Sequence, residues 1–153
     1  MRVTRTTDYD LVARLNRPIH DLHRTLYPEY FKEYVFDDMR DAFKRLMTND
    51  NSVFLLLEDD NEALGYAWIE VRTYPDNAFR KEYRSVYVHQ ISIVENQKRR
   101  GHGSYLMEHI YDIAKREGIH RVELDYWARN EAAKAFYEKH GFVSYRDFVH
   151  KEL

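Results

Sequence analysis

The spacing of apolar positions along this chain changes several times, and each change marks an element. Residues 2–6 are a short β-prone stretch and read as a first strand. Asp8 can cap a helix that carries Leu11, Val12 and Leu15 on one side and is expected to stop before Pro18. The period is lost over residues 19–36, a looser region holding His20, His23, Tyr27, Pro28, Tyr30, Phe31 and Tyr34. Asp37 or Asp38 then caps a helix with Met39, Ala42, Phe43 and Leu46 on one face. Residues 52–58 form a strand, Asp59-Asp60-Asn61 a turn, and residues 63–73 a longer strand that closes the hairpin. A polar loop at 74–81 leads to the apolar run 86–94, the expected central strand. Leu106, Ile110, Ile113 and Ala114 recur at helical spacing within residues 104–117, and Gly118 stops that helix. Val122, Leu124 and Tyr126 alternate along a strand at 121–126. Residues 131–140 form a helix capped by Asn130 and ended by Gly141, and residues 143–151 a final strand. This order predicts an α/β sandwich around a mixed sheet, as a single domain spanning residues 1–153.

The chemistry begins between the central strand and the next helix, at Gln97-Lys98-Arg99-Arg100-Gly101-His102-Gly103-Ser104. A basic, glycine-containing turn that opens a helix presents free N–H groups and the positive end of the helix dipole to one spot. Phosphate is the natural guest. Neither Gly-x-Gly-x-x-Gly nor Gly-Lys-Ser/Thr is present, so a dinucleotide fold and a P-loop NTPase are both disfavoured.

Composition narrows the classes. The chain has 153 residues, 33% charged and 44% hydrophobic, which suits one globular domain. With no cysteine, disulfides, zinc ribbons and cysteine nucleophiles are excluded. A net charge of −2 gives no overall basic footprint for nucleic acid. The first residues carry no apolar signal region and no run is long enough to span a membrane, so the expected location is the cytoplasm. The 13 tyrosines and 8 phenylalanines are many for this length and are expected to line a cleft or an interface, the latter compatible with a homodimer. His20 and His23, three apart, are the one pair with metal-ligand spacing on a helix; without supporting cysteine or carboxylate positions, no metal is expected.

A second motif lies downstream: Asn130, Ala133, Phe136-Tyr137 and Gly141-Phe142. Together with Lys98-Arg99-Arg100-Gly101-His102-Gly103 it resembles the GCN5-related N-acetyltransferase (GNAT) family. That family's phosphate loop reads Arg/Gln-x-x-Gly-x-Gly/Ala and its later helix reads Asn-x-x-Ala-x-x-Phe-Tyr-x-x-x-Gly-Phe. The close match runs from about Val86 to Phe142; the first loop position departs from the pattern in carrying Lys98, with Gln97 before it. The resemblance implies a mostly antiparallel mixed sheet with helices on both faces. It also implies acetyl-CoA as co-substrate and acetyl transfer to a primary amine of a small molecule or peptide. A CoA-binding sensor or regulatory module of the same fold is the alternative.

In such a reaction the pyrophosphate would rest on the backbone from Arg99, Arg100, Gly101, His102 and Gly103 to Ser104, with charge from Lys98 and Arg100. Pantetheine would pair with the backbone of Ile91, Ser92 and Ile93, one N–H of which would polarise the thioester carbonyl. Asn130 could touch the cofactor or cap its helix, and Phe136 is expected to pack beside it. Tyr137 is the candidate acid for the departing thiolate. His89 is the candidate base, standing where relatives that acetylate polyamines carry Glu-Asp, with Glu70 on the preceding strand as an alternative. Asp125 could attract a cationic acceptor, or pair with Arg121 or Arg129. The acceptor pocket of this fold is built largely by the first two helices, their connection and the loop before the central strand, here rich in tyrosine, phenylalanine and histidine.

Overall fold

The computed structural model describes residues 1–153. Its elements are β1 (Arg2–Arg5), α1 (Tyr9–Leu26), α2 (Phe36–Leu46), β2 (Ser52–Asp59), β3 (Glu62–Tyr74), β4 (Tyr83–Ile93), a 3-10 turn (Glu95–Gln97), α3 (His102–Arg116), β5 (Val122–Glu123) and α4 (Glu131–Lys139). The strands lie side by side in sequence order, antiparallel from β1 to β4, with β5 parallel to β4. The mixed, mostly antiparallel sheet with helices on both faces is therefore the observed architecture.

Strand period sorts the core onto those two faces. Leu55 and Leu57 of β2, Ala67 and Ile69 of β3, and Val86 and Val88 of β4 pack with Leu106, Met107, Ile110, Ile113 and Ala114 of α3. Phe136 and Tyr137 of α4 lie against the same cluster. Phe54 and Tyr66 point the other way, to Val12 and Ala13 of α1 and Phe43 of α2. The hairpin between β2 and β3 turns through Asp60 (φ 46°) and Asn61 (φ 65°), flanked by the Asp59–Glu62 pair. Two positive-φ residues match the strand twist, and Asn and Asp tolerate that conformation better than other side chains.

Four expectations need correction. Helix α1 does not stop before Pro18 but continues to Leu26. An internal proline forfeits a backbone hydrogen bond and costs about 3 kcal/mol. Anchors on both sides offset this: Val12, Ala13 and Asn16 are buried before the proline, and Tyr27 is buried where the helix ends. The irregular connection is thus confined to residues 27–35 and folds back on the helix, with Lys32 O 2.7 Å from His20 Nε2 and Phe31 stacked on His23 at 5.1 Å. Neither Asp37 nor Asp38 is the cap of α2; the N-cap is Val35, and the two carboxylates lie in the first turn, where they meet the helix dipole. Finally, residues 143–151 form no strand, and β5 is only Val122–Glu123 rather than 121–126. Alternation signals a strand but supplies no partner, and so short a β5 offers almost no edge to pair with. Val143, Val149 and Phe148 are 85%, 83% and 98% exposed, and the tail touches the sheet through Tyr145, whose hydroxyl donates to Glu123 Oε2 at 2.6 Å.

One backbone contact sets the spacing of the two long strands. A Cβ on Gly65 would lie 2.3 Å from the carbonyl oxygen of Ser92. Replacement by Ala must push β4 off β3, so Gly65→Ala is expected to cost roughly 1–3 kcal/mol. Urea unfolding measures this, and a wild-type midpoint would show that the strands are not so tightly apposed.

Candidate active site

The site is built where β4 and β5 part. Their pairing covers only Val86–Val122 and Tyr87–Glu123, so β4 runs on alone past residue 87. Just beyond, the β3–β4 register shifts: Ile69 pairs with Val88 but Trp68 with Gln90, leaving His89 as the extra residue of a β-bulge. The bulge inverts which peptide groups face outward. Below it, Val86 N–H donates to Arg121 O at 3.0 Å, so even-numbered residues face β5. Above it, Val94 N–H donates to Leu64 O at 2.9 Å, so even-numbered residues face β3. The peptides of Ile91 and Ile93 therefore look into the gap that β5 has vacated. Ser92 is turned inward: it is buried, and its hydroxyl donates to Leu15 O at 3.2 Å.

At the top of that gap sits the head of α3. Arg99 (φ 63°) and Gly101 (φ 84°) adopt the left-handed conformation, and Gly101 caps α3 with no side-chain bond. The first amide to return to the backbone is Tyr105 N–H, to Gly101 O at 2.9 Å. The amides from Arg99 through Ser104 donate to nothing in the protein. Curled donors at the positive end of a helix form an anion nest. The side chains around it hold the loop instead. Lys98 Nζ lies 2.7 Å from Glu95, which lowers the pKa of that carboxyl. His102 Nε2 is 3.3 Å from Gln97 Oε1, and Ser104 Oγ is 2.9 Å from His140 Nε2. Gly103 faces the ring of Phe136, which a Cβ there would approach to 3.1 Å.

Helix α4 closes the other flank. Asn130 is buried and caps it, Oδ1 accepting from Ala133 N–H at 3.1 Å. The half-buried Tyr137 ring lies between Tyr126, stacked at 6.0 Å, and Phe142 at 5.6 Å. Its hydroxyl makes no hydrogen bond and is not sealed from solvent. Burial, reinforced by the charge of Asp125, pushes that phenol up to about 12, so it carries its proton at neutral pH.

His89 lies flat on the Trp68 indole, at 4.1 Å and 14° between planes, with the Tyr87 ring 4.8 Å away. Its Nε2 is buried without a hydrogen bond, 3.8 Å from Glu70 Oε2. The accessible part of the ring is thus the Nδ1 side. Burial lowers the imidazole pKa below its usual value, against the opposing pull of Glu70. Glu70 is not a free base: it pairs with Arg72 at 2.5 Å.

Several contributors lack a local sequence signal. Asn16 Nδ2 donates to Tyr66 OH at 3.0 Å and to Gln90 Oε1 at 3.3 Å, and Tyr66 OH donates to the same Gln90 oxygen at 2.5 Å. This buried network pins α1 to the bulge. On the open side, Trp127 packs on Tyr27 and Phe31 at 4.8 and 5.0 Å. Arg129 ties the same loop down, donating to Leu26 O at 2.7 Å while its guanidinium covers Tyr27 at 4.5 Å. The sequence pointed to Tyr27 and Phe31 through the aromatic connection after the first helix, but not to Trp127.

Comparison with known proteins agrees with this geometry. The model of the acetyltransferase (GNAT) family matches residues 17–142. Among solved structures, the chain is similar to a tetramutant protein of Bacillus halodurans at 24% identity and TM-score 0.92, each chain covered to 100%. It is similar to an aminoglycoside antibiotic 6'-N-acetyltransferase of Acinetobacter haemolyticus at 15% identity and TM-score 0.73, with 100% of this chain and 98% of that one covered. A predicted acetyltransferase of Clostridium acetobutylicum, solved with acetyl-CoA, aligns at 18% identity and TM-score 0.69 over 99% and 95% of the two chains. These likenesses establish the fold.

If the nest at the head of α3 is the anion site, CoA binding should be far more sensitive to the backbone than to Lys98. Gly103→Asp would set a carboxylate against the diphosphate and against Phe136, whereas Lys98→Ala removes an exposed amine already paired with Glu95. Calorimetry with CoA should find binding lost in the first and changed less than about threefold in the second. Equal losses would count against this loop register.

Proposed function

Because this chain belongs to the acetyltransferase (GNAT) family, we propose that it is an acetyl-CoA-dependent N-acetyltransferase acting on a primary amine of a small molecule or peptide. The observation that carries this reading is the run of unbonded amides from Arg99 to Ser104 opening directly onto the outward peptides of Ile91 and Ile93. The nest suits the diphosphate, and the open strand edge suits the amide-bearing pantetheine arm, which can pair as a strand does. Acetyl-CoA, when bound, supplies an activated acetyl thioester.

The protein's own contributions follow from the gap. An N–H of Ile91 or Ile93 can donate to the thioester carbonyl oxygen, the role of an oxyanion hole. His89 is neutral at pH 7, and its Nδ1 can take a proton from the ammonium directly or through water. Glu70 lies behind it at Nε2 and favours the tautomer with hydrogen on that nitrogen, which leaves Nδ1 basic. Glu70 thereby acts through His89 rather than as an alternative to it. Tyr137 can give its hydroxyl proton to the leaving sulfur. Asn130 and Phe136 shape the floor: one caps α4, the other seats the loop at Gly103.

The decisive experiment is release of free thiol from acetyl-CoA across an amine panel of monoamines, polyamines, aminoglycosides, amino acids and short peptides. Acceptor-dependent thiol supports the enzyme. CoA binding with no acceptor-dependent thiol would indicate a sensor or regulatory module instead.

Two variants test the assigned roles. Tyr137→Phe keeps the ring and its packing, so kcat should fall about 10- to 1000-fold while the Kd for acetyl-CoA stays near wild type. An unchanged kcat would assign that proton to water. For His89, kcat/KM should rise with pH through an inflection below the ordinary histidine value, because burial disfavours the protonated ring. As pH falls through that inflection the base is lost and the rate with it. His89→Gln should erase the inflection and leave only the acceptor's own ionisation at higher pH; identical profiles would remove His89 from the mechanism.

A further inference from the structure

Asp125 is an exposed carboxylate at the mouth of the gap with no ion-pair partner. It follows β5 by two residues, is exposed, and accepts a hydrogen bond at Oδ2 from the Tyr87 hydroxyl. The arginines that could neutralise it are committed elsewhere. Arg121 lies over the rings of Tyr83 and Tyr145, each at 5.2 Å. Arg129 binds Leu26 O and Glu29. Arg72 pairs with Glu70 and covers the Tyr87 ring at 3.8 Å. Of the other acids nearby, Glu70 is paired with Arg72 and Glu29 with Arg129, while Glu123 has no cation but is buried and accepts from the Tyr145 hydroxyl. Among these, Asp125 is the carboxylate that is both exposed and without a cation.

Its position is between the two reactive side chains. Tyr87, which holds Asp125, touches the His89 ring at 4.8 Å. The next residue, Tyr126, stacks on Tyr137 at 6.0 Å. Trp127, two residues beyond Asp125, is 38% exposed, and Tyr30, 5.8 Å from it, is 53% exposed. A charge beside exposed aromatic rings is a place for an ammonium with an apolar body.

The geometry points to Asp125 as the acceptor anchor: its carboxylate, fixed by Tyr87, seats the ammonium of an acceptor carrying one positive charge, whose apolar part lies on Trp127 and Tyr30. This rests on the acetyltransferase reading for its site but not for its measurement. A primary amine with a pKa near ~10 arrives protonated at neutral pH, so a carboxylate loads the abundant form. One charge recognises a monoamine; a polyamine finds no second carboxylate free.

The test uses 2-phenylethylamine as probe. Asp125→Asn keeps the shape and the Tyr87 contact but removes the charge. It should raise the KM for the amine roughly tenfold, the worth of one charge-assisted hydrogen bond, and leave the KM for acetyl-CoA unchanged. In the wild type, kcat/KM for the amine should fall as salt rises; in Asp125→Asn that salt dependence should vanish, which a purely structural role would not produce. Tyr87→Phe, which frees the carboxylate without discharging it, should keep the salt dependence and raise KM by a smaller factor. An unchanged amine KM in Asp125→Asn, or an equal loss of acetyl-CoA affinity, overturns the anchor. If no amine releases thiol, the acetyltransferase reading fails separately, and the anchor is judged by calorimetric titration of 2-phenylethylammonium. Binding that weakens about tenfold in Asp125→Asn upholds it; equal binding, or none to wild type, overturns it.

Discussion

Everything distinctive about this molecule depends on two parallel strands that separate after pairing only twice. Once β5 leaves β4 beyond Tyr87, a row of peptide groups is left without a strand partner along that side of β4. Unpaired backbone in a partly enclosed groove is costly unless water or a ligand satisfies it. The bulge at His89 decides which groups those are. Without it Gln90 and Ser92 would face the gap; with it Ile91 and Ile93 do, and Ser92 is drawn back to bind α1. The same extra residue lays the imidazole of His89 flat on Trp68. A single inserted residue thus places the strand edge and the basic group together.

The parts legible in the sequence were those encoded by short spacing. The glycine turn before α3 and the Asn130 cap of α4 depend on neighbours a few residues away, and both are where the pattern put them. Apolar runs located β2, β3 and β4 but not their faces, because both faces of this sheet are packed and the runs are continuous. What could not be read was pairing. A bulge is a relation between two strands, and no residue type at 89 announces it. Pro18 reads locally as a stop, but burial of Asn16 and Tyr27 on either side outweighs the forfeited bond. The tail from Val143 is rich in β-prone residues, yet the two-residue β5 beside it has almost no edge to extend.

Electrostatically the site keeps its groups apart in protonation by different means. Tyr137 is held neutral by burial among rings, and His89 is held neutral by burial against Trp68. Both shifts deepen what the free side chains already favour near neutral pH, a protonated phenol and an uncharged imidazole. Glu70 could have undone this by drawing a proton onto His89. Its pairing with Arg72 spends much of its charge, and the imidazole pKa remains below its usual value. The Asn16–Tyr66–Gln90 network beneath is uncharged, so it fixes α1 against the bulge without adding a field of its own.

The loop at the head of α3 shows how binding capacity is kept in reserve. Its amides from Arg99 to Ser104 have no internal partners, and the strained left-handed backbone at Arg99 adds to the cost. Side chains that look like ligands stabilise this arrangement. Lys98 is held by Glu95, His102 meets Gln97, and Ser104 meets His140 across on α4. Phe136 presses on Gly103 from the same helix. Because those contacts brace the loop from outside, the backbone can stay unsatisfied at its centre, where an anion would complete it. The same contacts couple the cradle to α4, and hence to Tyr137, so the element that would grip the diphosphate and the hydroxyl that would serve the sulfur share one rigid support.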